Sequence, residues 1–234
     1  MSAINYHLEE LKIARTPGDP RHIRPALPDR FGSLLDLGCG IGQNLLDCAL
    51  PPETLACGVD IDAEALAFGR RLAPQLCLVC ARGERLPFQD HSFDVVMARV
   101  SLPFMHLPSA LREVARVVKP GGYVWCTLHP WAMLCARLRA ALRTLNLKDF
   151  VYSVYILVNG CCFHLTGRQF RYPLNRQRCE SFQTVGGMTR AMQRVGFEQV
   201  QTDYGRFFVV TASKRNPSSL LATKEDMLCV ASAG

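Results

Sequence analysis

The first limits come from what this chain has little of. A helix needs about twenty consecutive apolar residues to cross a bilayer. The longest such run, Phe150 to Phe163, is fourteen residues. It reads as a buried helix or a cover over a substrate pocket, and no membrane span is expected. Met1 to Arg15 is amphipathic rather than continuously apolar, so no secretory leader is expected and the location reads as cytoplasmic. No segment repeats at a fixed period and no low-complexity tract stands out, which excludes solenoids and fibrous folds. Acidic residues are in deficit, 20 against 27 basic, leaving a formal charge of +7. The imbalance is uneven: residues 130–183 carry eight Lys or Arg against only Asp149 and Glu180. Such a local excess suits an anionic substrate, an acidic partner or nucleic acid, and equally a solvated basic surface.

Metal-ligand spacing is also scarce, although cysteine is not, at eleven residues. Cys77-x-x-Cys80 lies inside the apolar run Leu76 to Cys80, where a spacing of three along a strand sends the side chains to opposite faces. No second pair stands at ligand spacing, so no metal is expected. Cys57, Cys77, Cys80 and Cys126 sit in apolar contexts and read as buried, reduced thiols.

What is present centres on Leu34 to Gly42. Ser33 to Leu37 reads as a buried parallel strand, followed by glycines at alternate positions, Gly38, Gly40 and Gly42. Helical spacing resumes from Asn44 to Leu50. Glycine serves where the backbone takes positive φ or where a ligand approaches it closely, and the N–H groups opening a helix hold anionic groups. The spacing is G-x-G-x-G, not the G-x-G-x-x-G of dinucleotide binders. A second buried strand, Leu55 to Asp60, ends in an acid 20 residues beyond Gly40. That suits a carboxylate accepting hydrogen bonds from ribose hydroxyls.

With these residues in order, the chain resembles the class I S-adenosylmethionine (SAM)-dependent methyltransferases, in particular the methyltransferase type 11 group. Leu34 to Gly42 is similar to the family's first motif and Gly58-Val59-Asp60-Ile61-Asp62 to its second. Glu84-Arg85-Leu86-Pro87-Phe88, Ser92-Phe93-Asp94-Val95-Val96 and the run Leu111 to Gly122 match the next three. The resemblance covers Phe31 to Leu128 and resumes near the C-terminus. It implies a Rossmann-like α/β fold: a seven-stranded, mostly parallel sheet with an antiparallel last strand, helices on both faces and a substrate-side insertion. It implies SAM as cofactor, S-adenosylhomocysteine (SAH) as product, and cofactor contacts at Asp36, Gly38, Cys39, Gly40, Gly42, Asp60, Ile61, Arg82, Gly83, Glu84 and Arg99. In that assignment the glycines shape the loop around the methionine part, Asp36 supports it, Asp60 takes the ribose, Ile61 packs on adenine and Arg99 lies near the transfer site. One position departs. The family usually has Asp where Arg82 stands, and arginine cannot accept a hydrogen bond from the adenine amino group. A backbone carbonyl or stacking of Arg82 on the ring would have to replace it.

The remaining chain divides around this core. Residues 1–30 read as an amphipathic lid helix, in which Tyr6 and His7 either face the cleft or pack at the sheet edge, and a proline-rich linker. The core runs over 31–129, an insertion over 130–183, the end of the core over 184–215 and a mobile tail over 216–234. Within the insertion a basic helix, Leu134 to Leu147, precedes the apolar run. His106 and His129, at the ends of strands, are candidate general bases. Arg168, Arg171, Arg176 and Arg178 are candidates for an anionic acceptor. The expected reaction is direct in-line methyl transfer to a small molecule. An RNA acceptor held by the basic insertion, and a non-catalytic binding subunit, are the alternatives; aminopropyl transfer would need an acidic site that this basic chain lacks.

Overall fold

The computed structural model describes residues 3–16 and 18–216; the expected mobile tail lies almost wholly outside the described residues. One seven-stranded sheet organises the chain: β1 (Ser33–Leu37), β2 (Leu55–Asp60), β3 (Cys77–Cys80), β4 (Phe93–Arg99), β5 (Val118–Leu128), β6 (Phe197–Tyr204) and β7 (Phe208–Lys214). Their spatial order is β3-β2-β1-β4-β5-β7-β6. The first five are parallel, and β7 runs antiparallel between β5 and β6. This is the Rossmann-like sheet that the resemblance implies.

Every residue of β1 is buried, because helices cover both faces of the sheet. The pleat sorts the side chains. Leu35 and Leu37 join the core under α4 (Leu107–Val117) and α7 (Val185–Arg194), while Leu34 joins the opposite core beneath α2 (Gln43–Asp47) and α3 (Ala63–Leu72). Val96 and Ala98 of β4 and Val95 and Met97 divide in the same way. Asp62 caps α3 as its position predicts, accepting from the Glu64 and Ala65 N–H groups at 3.0 Å, a contribution of about 1 kcal/mol.

Three expectations need correction. The end of the run Leu111 to Gly122, which the sequence places at a turn leading into the fifth strand, lies inside β5. Val118 pairs with Phe93 and Tyr123 with Val95, so the turn bulges from the ladder at Gly121, φ +76°. Cys77 and Cys80 are exposed rather than buried, because β3 is an edge strand; Cys57 and Cys126, on inner strands, are buried. In the insertion, α5 (Trp131–Arg143) and α6 (Leu147–Thr166) pack around Leu134, Tyr152, Tyr155, Ile156 and Phe182. The apolar run therefore lies within α6, but only one of its faces is buried. Among the described residues no helix is long and apolar enough to cross a membrane.

Candidate active site

The strand order reverses between β1 and β4, and a cleft of about 680 Å³ opens there, at the carboxyl ends of the strands. The volume falls within the range of about 300–1,000 Å³ usual for small-molecule sites. Gly38, Gly40 and Gly42 turn β1 into α2 with φ of +80°, +56° and +85°. Glycine is further required by close approach: a Cβ on Gly38 would run into the Ser101 side chain, and one on Gly40 into the His7 ring. Asp60 ends β2 at the edge of this loop. Its Oδ2 accepts from the Gly40 N–H at 2.8 Å and its Oδ1 from the Asp62 N–H at 2.9 Å. Each oxygen keeps acceptor capacity for a vicinal diol.

Behind the loop Asp36 is wholly buried. Asn44 donates to Oδ2 at 3.2 Å, while Oδ1 has no partner. Burial, reinforced by the neighbouring Asp60 against the Asn44 hydrogen bond, pushes this carboxyl up to about 7. Cys39 is buried beside it and raised by burial, an inert thiol.

The first helix, α1 (Ala3–Arg15), crosses the same end. Leu11 packs on Ile41 and Ala65, which turns Tyr6, His7 and Glu10 into the cleft. The cleft-facing alternative for this helix is the one observed. Arg99, at the end of β4, donates to Glu10 Oε2 at 2.8 Å and to the Arg21 carbonyl at 3.4 Å. Beyond the tip of β2 the rim of the cleft has Ile61, which is exposed, with Arg82, Gly83 and Glu84. Glu84 fixes this loop: Oε1 accepts from the His106 N–H at 3.2 Å and from Arg82 at 3.4 Å. Against a burial that alone would raise it, these donors hold its carboxyl below the usual range. The surroundings fit SAM. The glycine cradle, the Asp60 carboxylate and two buried, unpartnered polar atoms beside the loop, Asp36 Oδ1 and His7 Nδ1, are suited to a diol, an ammonium and a carboxylate.

The other end of the cleft is mainly apolar, with Val100, Phe104, Met105 and Met133. Val100 is β-branched yet takes φ +55°, its N–H donating to Thr127 Oγ1 at 2.9 Å. A conformation of this kind costs about 1–3 kcal/mol and is typical of functional sites. The sequence carried no sign of it. His129, at the end of β5, has its backbone clamped by Gln183 and its ring edge-on to Phe104 at 4.9 Å. Its Nδ1 lies 3.9 Å from Glu180 Oε1. Glu180 is buried, accepts from the Tyr152 hydroxyl at 2.8 Å and from Arg137 at 3.4 Å. Burial raises the Glu180 carboxyl, while burial and then Arg137 lower His129 to about 4. With its pKa held that low, His129 is a neutral imidazole near pH 7.

The other predicted residues scatter. His106 is the N-cap residue of α4, its Nδ1 at 2.9 Å from Ser109 Oγ, outside the cleft lining. Arg171 reaches Glu84 at 3.8 Å, Arg178 lies over the Tyr152 ring at 5.6 Å, and Arg168 and Arg176 are exposed. None of these four arginines lines the cleft; Arg137, Gln177 and Glu180 do so from the same insertion. Glu180 had one sequence signal, its rarity as an acid in a basic segment, between Cys179 and Ser181-Phe182. Among the described residues no group of three or more His, Cys, Asp or Glu is placed to hold a metal ion.

Known proteins agree with this geometry. Residues 35–126 match the family model for a methyltransferase domain. A demethylmenaquinone methyltransferase of Chlorobaculum tepidum is 34% identical over 174 residues, covering 74% of this chain and 68% of the relative. Among solved structures, a Thermotoga maritima SAM-dependent methyltransferase, possibly a histamine N-methyltransferase, superposes with a TM-score of 0.55 at 18% identity over 91% of both chains. Human N-acetylserotonin methyltransferase, solved in complex with SAM, gives 0.52 at 16% identity over 80% of this chain and 48% of that one; at such identities the likeness concerns the fold. Motif, sheet order, cleft and a relative matched over two thirds of its length converge on one assignment: the chain belongs to the class I SAM-dependent methyltransferases, with SAM as its methyl donor.

Proposed function

We propose that this enzyme methylates a small, largely apolar acceptor bearing a hydroxyl group, seated between Phe104 and the Glu180–His129 corner. The observation that carries the reading is the makeup of this end of the cleft: Val100, Phe104, Met105 and Met133 beside a polar corner in which His129 and Glu180 are buried and Arg137 is half-exposed. SAM, when bound, supplies a methyl group already activated on a sulfonium centre. The protein's part is to align the acceptor, exclude water and receive a proton where one must leave. Glu180 receives it, with Tyr152 and Arg137 holding the carboxylate in place, and His129 hydrogen-bonds the acceptor as a neutral ring. Gly38, Cys39, Gly40, Gly42 and Asp60 hold the methionine and ribose portions with Asp36 behind them; Ile61, Arg82, Gly83 and Glu84 frame the adenine. Arg99 acts through the first helix. A relative named demethylmenaquinone methyltransferase supports a small-molecule acceptor.

Calorimetric titration with SAM and SAH, beside Asp60→Ala, tests the cofactor half; micromolar binding that the variant loses is expected. Transfer of labelled methyl from SAM to a panel of hydroquinones, phenols, amines and an RNA oligonucleotide tests the acceptor half. Turnover on hydroquinones or phenols, with little dependence on salt, is expected. Turnover on RNA alone, falling steeply with salt as displaced counterions require, would overturn the acceptor assignment.

A further inference from the structure

The outward face of α6 has no role in the cleft. Leu147, Val151, Val154, Val158 and Leu165 follow one another at spacings of four, three, four and seven, which places them on one side of the helix. They are 73%, 43%, 37%, 50% and 75% exposed. The opposite side carries Tyr152, Tyr155, Ile156 and Asn159, all buried against the insertion's core and the segment bearing Glu180. A helix apolar on both sides is expected inside a core or against lipid. This one is apolar on both sides and covered on one.

Cations border the stripe. Arg139 and Arg143 lie one turn apart in the second half of the preceding helix, Lys148 lies in the first turn of α6 and Arg168 stands two residues beyond its end. All four are exposed, and none is in an ion pair among the described residues. Asp149, the one acid of α6, is paired with Asn146 at the helix start.

We propose that this face docks on the surface of an anionic phospholipid bilayer, with the aliphatic stripe at the headgroup–acyl boundary and the bordering cations on lipid phosphates. Two observations choose this occupant. A nucleic acid would satisfy the cations and leave the stripe in water. A second copy would bury too little: a 20-residue helix is about 30 Å long and presents a face about 10 Å wide, so two stripes bury about 600 Å², below the roughly 1,000 Å² of a specific interface. A bilayer satisfies both the stripe and the charge, as it does for interfacial helices. The inference concerns where the enzyme works and does not depend on which acceptor it methylates.

Sedimentation of the full chain with vesicles tests it, using phosphatidylcholine alone and phosphatidylcholine with about one third phosphatidylglycerol. Binding to the anionic vesicles, weak binding to the neutral ones and weakening with salt are expected. Val154→Glu and Val158→Glu abolish binding, while Arg143→Gln and Lys148→Gln each reduce it about fivefold. SAH affinity and melting temperature, unchanged in the variants, show that the fold and the cofactor site remain. Several results would overturn the proposal: no binding to anionic vesicles at low salt; equal binding by the Glu variants; or a micromolar solution dimer that Val158→Glu dissociates. Preference for an RNA oligonucleotide over vesicles, unaffected by Val158→Glu, would overturn it as well.

Discussion

Arg99 and Glu10, 89 positions apart, meet at 2.8 Å and tie the end of β4 to the helix that covers the cofactor end of the cleft. Both side chains are largely buried, so the pair is not a solvent-screened surface contact. Each single change, Arg99→Ala or Glu10→Ala, should weaken SAH binding. The double variant should lose less than the sum, with a coupling of about 0.5–3 kcal/mol in a double-mutant cycle. Strict additivity in calorimetry would show that the two act separately.

Gly38 meets two demands, its φ of +80° and the approach of Ser101. Gly38→Ala should cost about 1–3 kcal/mol in conformation alone, with a further steric cost, lowering Tm by several degrees. Adding Ser101→Gly should restore the steric share and leave the conformational one. Full recovery by the second change would mean that the backbone angle matters little.

Glu180→Gln should retain SAH binding and lower kcat by about 10²–10⁴-fold on a hydroxyl-bearing acceptor. The sign of the pH dependence follows from the raised carboxyl: activity rises with pH as Glu180 ionises, and that limb vanishes in the variant. A pH profile that keeps its acidic limb in Glu180→Gln would remove the residue from the proton's path.

Asp36 makes stability depend on pH in the direction opposite to a salt-bridged acid. Its folded pKa is raised from 3.8 to about 7, so the folded chain binds more protons than the unfolded one across that interval. Stability of the unliganded enzyme should fall as pH rises from about 4 to about 7, and Asp36→Asn should flatten this slope in thermal melts. A cationic group bound at the loop favours the ionised form, so SAM binding near pH 6 should release protons, read as a dependence of calorimetric heat on buffer ionisation. Equal heats in phosphate and imidazole buffers would argue against it.

The loop at the end of β1 and the tip of β2 were legible in the sequence because their requirements are local. Glycines at positive φ, an acid at a strand tip and apolar strands buried on both faces each leave a pattern within a few residues. The acceptor half depends on how the α5–α6 pair folds over the cleft, which spacing alone does not encode. The four arginines singled out by charge lie outside the cleft lining, whereas Arg137 arrives from α5 and Glu180 from the same irregular stretch as the four. The exposure of Cys77 and Cys80 escaped for a related reason: an apolar run does not say whether its strand is inner or edge. Val100 left no trace, since a β-branched residue is the last expected at φ +55°.

The two tryptophans of the chain sit in unlike places. Trp125 is enclosed in β5, 2% exposed, while Trp131 is 45% exposed and edge-on to Phe182 at 5.0 Å, between the cleft residues His129 and Met133. The enzyme therefore carries its own optical pair. Trp131 is outside the cleft lining but flanked by His129 and Met133, which line it; its emission should change when acceptor binding shifts these neighbours, while that of the enclosed Trp125 should stay constant. Trp131→Phe isolates the first signal and identifies the second, which makes acceptor binding observable by fluorescence without a label and without turnover.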